Sequence, residues 1–166
     1  MFITNHVLSG AVIGRLAGGR PVTAFAAGLA SHLVLDAVPH WGCDLREPGR
    51  AERFLVVAKR DGVLGLTTMA VIALTTERTV RTATFAAVAG AVLLDLDKPC
   101  VHFFGRDPFP YAVRLLHRRV QNESASGLPN EIGSGILLAA LDAFAAAMAR
   151  RPKSRDPQPR PQPGAS

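Results

Sequence analysis

His32, Asp36 and His40 are the residues in this chain whose types and spacing invite chemistry. His32 and Asp36 stand four apart in an apolar run, so a helix places them on one face, near the line of Phe25 and Leu29. Neither group belongs in an apolar setting unless it is paired, because a lone buried carboxylate costs several kcal/mol. A His–Asp hydrogen-bonded pair would meet that need by itself. His40, however, follows four residues after Asp36, just past Pro39, where the chain can fold back over the helix end. Two imidazoles and a carboxylate from nine residues make a transition-metal ligand set, with zinc the first choice and manganese the second.

Other residues can complete such a site. His6 opens an expected first helix; if that helix and the next form an antiparallel hairpin, His6 lies near Asp36 and His40. The alternative is an exposed terminal histidine. Asp95 and Asp97 are two apart and point to nearly opposite sides of a continuous helix. Both reach one site only if the helix ends between them, which Pro99 makes credible; otherwise Asp95 points inward, and Asp97 pairs with Lys98 or solvent. Asp95 is the favoured ligand. His117 and Gln121 repeat the i, i+4 spacing at the edge of an apolar stripe of Val113, Leu116 and Val120. Arg114, Arg118 and Arg119 make that helix interfacial or solvated, leaving His117 as a supporting group or a substrate-phosphate contact. Asp61, Asp142 and Glu131 read as capping or internally paired acids.

The elements that must position these groups are helical. Helices are expected over 5–19, 21–38 (from Pro21 to the Pro39 break), 62–76 with Asp61 as its cap, 80–96, the segment after Pro110, and 132–149. Residues 40–53 and 98–109 read as loops, 54–60 as a short apolar stretch, and no segment reads convincingly as a strand. The chain is thus expected to be an all-α bundle of five to six helices over 1–149, followed by a disordered, basic, Pro-rich tail over 150–166.

Composition favours a membrane setting. Hydrophobic residues make up 48% of the 166 residues, with 6% aromatic and 19% charged; mean hydropathy is +0.19. The charged share falls below the roughly 25% of a typical soluble domain. The expected helices fall just short of the ~20 residues needed to cross a bilayer, so a soluble bundle with an Ala-rich core stays open. Of the net charge of +6, the tail carries +4, so a nucleic-acid partner would rest on the tail alone and is not expected. That tail favours a cytoplasmic C-terminus. Cys43 and Cys100 lack metal or redox spacing and read as free thiols, and the N-terminus lacks the basic start of a cleavable signal peptide. No phosphate-binding glycine loop, dinucleotide fingerprint or nucleophile elbow is present.

The run Asn5-His6 to Gly10, then His32 to Trp41 with Asp36, Pro39 and His40 in place, then Leu94-Asp95-Leu96-Asp97, resembles a bacterial family. It is similar to the LexA-binding, inner-membrane-associated metal-dependent hydrolases, themselves distantly similar to the helical zinc phospholipase C and P1 nuclease fold. The resemblance spans roughly residues 1–125 in scattered motifs. It implies His6, His32, Asp36, His40 and Asp95 as metal ligands, with Asp97 and His117 less firmly attached. Phospholipase activity itself is not implied, because the N-terminal tryptophan ligand of those enzymes has no counterpart.

The leading expectation is therefore a membrane-associated, metal-dependent hydrolase at the inner membrane, acting on a phosphoester. Asp95 or His117 would orient water or protonate the leaving group. The alternative is a non-enzymatic membrane protein whose His/Asp cluster is structural, or holds metal without turnover.

Overall fold

The computed structural model describes residues 1–42 and 50–149, in which seven α-helices enclose a core of small and polar side chains. The expectations for Cys43 and for the tail over 150–166 lie outside the described residues. The all-α expectation holds.

Helix α1 (Ile3–Leu16) ends in a turn where Gly18 (φ 59°) and Gly19 (φ 78°) take left-handed conformations that residues with a Cβ resist. Pro21 opens α2 (Pro21–Ala37), its fixed φ suited to a first helical turn. The tight turn makes α1 and α2 a hairpin, so the start of α1, with His6, lies beside the end of α2. The 54–60 stretch and the 62–76 helix form one continuous helix, α3 (Arg50–Thr75), so Asp61 lies mid-helix rather than at a cap of its own helix.

Helix α4 (Arg78–Val92) is the central element and packs most extensively against α1 and α2. The close approach depends on glycines. A Cβ at Gly28 would overlap the Ala87 carbonyl oxygen, and one at Gly90 the Phe25 carbonyl oxygen. The neighbouring core is correspondingly small: Ala24, Ala83 and Ala87 in one cluster, with Val7, Ala11, Ile72 and Val88 in another.

After α4 the chain tightens into a 3₁₀ turn, Leu93–Leu96, before α5 (Asp97–Phe104). Residues 98–109 are thus not a loop throughout: Pro99 sits in the first turn of α5, where a missing N–H costs nothing. Gly105 (φ 65°) ends α5, and α6 (Tyr111–Val120) follows Pro110. Helix α7 (Leu128–Ala149) starts four residues earlier than expected. Two two-residue strands, β1 (His40–Trp41) and β2 (Glu123–Ser124), pair in parallel and tie the end of α2 to the segment after α6.

Polarity is distributed unusually. Buried positions include Asn5, His6, Arg15, His32, Asp36 and Glu131, whereas Leu74, Val22, Phe103, Phe104, Ile136 and Phe144 are exposed. Among the described residues, two stretches are long and apolar enough to cross a membrane: Arg78–Phe104 and the 22-residue α7, which the rest of the described chain barely covers.

Candidate metal centre

The site forms where α1 begins, α2 ends and the 3₁₀ turn meets α6. His6, His32 and Asp36 have no solvent exposure, and Asp95 and His117 very little. His32 and Asp36 face inward together because they are one turn apart on α2; Nε2 of His32 lies 3.2 Å from Oδ2 of Asp36. His6 arrives from α1 through the hairpin, its ring stacked on that of His32 with centroids 4.1 Å apart. Its Nε2 lies 3.2 Å from Oδ1 of Asp36 and 3.6 Å from Oδ2 of Asp95. His117 comes across from α6, with Nε2 3.1 Å from both Oδ2 of Asp36 and Nε2 of His32.

These spacings match those between neighbouring ligands on one ion. Metal–nitrogen and metal–oxygen bonds of about 2.0–2.1 Å give tetrahedral edges of ~3.3 Å. Among the described residues, two sets have ligand atoms close enough to share an ion: His6, His32 and Asp36, and His32, Asp95 and His117.

Ring chemistry sharpens the point. Nδ1 of His32 lies 2.6 Å from the Ala91 carbonyl oxygen, which can only accept, so Nδ1 carries the proton. In neutral His32, Nε2 therefore turns a lone pair toward the carboxylate and the second imidazole. This is the arrangement in which a backbone carbonyl fixes the tautomer of a metal-ligating histidine. Both nitrogens of buried His6 lack a hydrogen-bond partner, a burden of about 1–3 kcal/mol per group that a bound ion would relieve at Nε2.

The protonation balance is set by burial against the carboxylates. Burial pulls His6 below its ordinary 6.5, outweighing the opposing pull of Asp36 and Asp95. Burial also disfavours charge on His117, but its contacts with Asp36 and Asp97 prevail and raise it to about 9. Asp97 approaches His117 from the far side, with Oδ2 3.7 Å from Nδ1. Two ammonium groups neutralise the acids: the N-terminal amine lies 2.6 Å from Oδ1 of Asp36, and Nζ of Lys98 lies 2.7 Å from Oδ1 of Asp95.

The 3₁₀ turn resolves the Asp95–Asp97 problem. It changes the angular spacing between them, so Asp95 enters the cluster and Asp97 reaches the outer nitrogen of His117. Of the two partners the sequence offered Asp97, Lys98 or solvent, the Lys98 ammonium instead bonds Asp95, and Asp97 accepts the Lys98 backbone N–H at 2.6 Å. His40 stands apart from both ligand sets. Its Nδ1 lies 2.8 Å from the Val38 carbonyl oxygen, while Nε2 is buried without a partner. Burial and the nearby N-terminal ammonium lower its pKa.

Asp61, Glu131 and Asp142 hold elements in place. Asp61 accepts hydrogen bonds from Ile3 N–H (2.6 Å), Thr4 N–H (3.2 Å) and the Thr4 hydroxyl (2.6 Å), capping α1 from α3. Glu131 accepts from Phe2 N–H (3.0 Å) and from the Asn5 amide (2.9 Å). Together they anchor the turn that carries His6. Asp142 pairs with Arg15 at 2.7 Å, joining α7 to α1. The role of Lys98 was obscured because 98–109 read as a loop; with the 3₁₀ turn running on into α5, the i, i+3 spacing of Asp95 and Lys98 is itself a signal. No family model, curated protein or solved structure matches this chain.

Proposed function

We propose that this chain is a membrane-associated, metal-dependent hydrolase directed at phosphoesters, with His6, His32 and Asp36 as the core ligands of a divalent ion. One observation carries the reading. The Ala91 carbonyl fixes the tautomer of a fully buried His32 so that its lone pair faces Asp36 and His117 at ligand-to-ligand spacing. A nitrogen- and oxygen-donor set without thiolate suits zinc first and manganese second. Such an ion supplies Lewis acidity, lowering the pKa of water and offsetting charge that develops on phosphoryl oxygens.

The chain's own residues supply the rest. Asp95 and His117 border the cluster on the side of the partly exposed Asp97 and Lys98, which suits them to orient water and to deliver a proton to the leaving group. Their positions are steadied by Lys98 on Oδ1 of Asp95 and by Asp97 beside Nδ1 of His117. The resemblance in the His32–His40 run supports the same assignment and an inner-membrane setting. The uncovered apolar face of α7 supports contact with lipid, and the basic residues after Ala149 support a cytoplasmic C-terminus.

Metal analysis of the purified protein tests the reading. Stoichiometric zinc or manganese is expected, lost in His32→Ala and Asp36→Ala. No bound metal, together with unchanged stability in His32→Ala, overturns it. A second reading, a structural cluster without turnover, draws on the two ammonium groups that already neutralise Asp36 and Asp95. It predicts full stability without any ion.

A further inference from the structure

We infer that Lys98 is the anion-binding residue of this site, holding a phosphoryl oxygen of the substrate beside the ligand cluster. The inference rests on the metal-site reading and adds the group that receives the substrate's negative charge.

The placement comes from the junction of the 3₁₀ turn and α5, which puts Lys98 one turn beyond Asp95. Asp95 divides its two oxygens. Oδ2 faces His6 inside the cluster at 3.6 Å, and Oδ1 accepts from the Lys98 ammonium at 2.7 Å. One carboxylate therefore separates the ammonium from the ligand atoms. An ammonium has three donors, and Asp95 engages one of them. The Lys98 side chain is 39% exposed, against 7% for Asp95 and 0% for His6, so it lies on the solvent side of the cluster.

The chemistry selects the ligand class. Ammonium donors beside an ion held by nitrogen and oxygen ligands suit a compact oxyanion with more than one oxygen, such as a phosphomonoester or inorganic phosphate. Asp97, 27% exposed beside His117, borders the same side and disfavours a second anion there. The site thus takes one phosphoryl group rather than an extended polyanion.

The test uses the full chain loaded with zinc, with inorganic phosphate as the probe in calorimetric titrations of the wild type, Lys98→Gln and Lys98→Arg. Zinc content and thermal unfolding are measured for each. Lys98→Gln is expected to weaken phosphate binding about 10- to 100-fold with zinc content unchanged. Lys98→Arg should stay within a few-fold of wild type. Wild-type phosphate affinity in zinc-loaded Lys98→Gln overturns the inference and leaves the metal site intact. Loss of zinc or of the fold in Lys98→Gln, with rescue by Lys98→Arg, also overturns it, because Lys98 then serves to neutralise Asp95. A wild type that takes up no zinc removes the reading beneath it, a result separate from either.

Discussion

Gly28→Ala should damage the metal site without touching a ligand. Gly28 is one turn before His32 on α2, and Ala87 is one turn before Ala91 on α4, so their contact immediately precedes the hydrogen bond that fixes the His32 ring. An added Cβ would overlap the Ala87 carbonyl oxygen, and that backbone atom cannot swing aside as a side chain could. Relief requires α2 and α4 to separate by on the order of 1 Å. The His32–Ala91 contact is only 2.6 Å, and the Nε2 atoms of His32 and His117 are 3.1 Å apart. A functional geometry tolerates about 0.5 Å, so the shift is enough to undo it. The expected cost is about 1–3 kcal/mol of stability and a 10- to 100-fold loss of metal affinity. Competition titration against a chromophoric zinc chelator, with thermal unfolding alongside, measures both. Gly62→Ala and Gly133→Ala are the controls, since a Cβ there meets nothing and a helix interior favours alanine by up to ~1 kcal/mol. If Gly28→Ala binds zinc as tightly as these controls, the approach of α2 to α4 does not set the site geometry.

Asp61→Ala removes the acceptor of the Ile3 and Thr4 bonds and should cost about 1–3 kcal/mol in chemical denaturation; a loss below about 0.5 kcal/mol would refute its role as the cap of α1. In metal-free protein the histidines impose opposite pH slopes. His6 and His40, held below 6.5, take up fewer protons than the unfolded chain as pH falls through that value, so stability declines toward acid. His117, raised to about 9, contributes stability that is complete below 6.5 and is lost as pH rises through about 9. Denaturation midpoints across pH 5–10 in His117→Gln should lose the alkaline slope and keep the acid one; persistence of the alkaline slope would count against the assignment. A spin label at Ile136→Cys on the uncovered face of α7 should, in bilayers, be more accessible to oxygen than to a polar nickel chelate. The reverse preference would argue against lipid contact.

Much of this architecture is written in local sequence. Gly18-Gly19-Pro21 specifies a hairpin because left-handed glycines followed by a φ-restricted proline leave few other paths. The hairpin, with the i, i+4 spacing of His32 and Asp36, suffices to bring His6 beside them. The fate of Asp95 was only conditionally legible, since it turned on whether the helix changed pitch between two aspartates, and local residues permit either outcome. Tertiary packing decided the rest. His117 looked like the edge of a basic interfacial helix, and only the docking of α6 against the end of α2 turns its Nε2 into the cluster. His40 satisfied every spacing rule yet stands outside both ligand sets, because the short pairing of β1 with β2 and the Val38 carbonyl set its backbone and ring. Periodicity reports which residues share a face of one element. Which nitrogens and oxygens meet depends on how those faces are brought together, and here on glycines whose missing side chains let α2 and α4 approach closely.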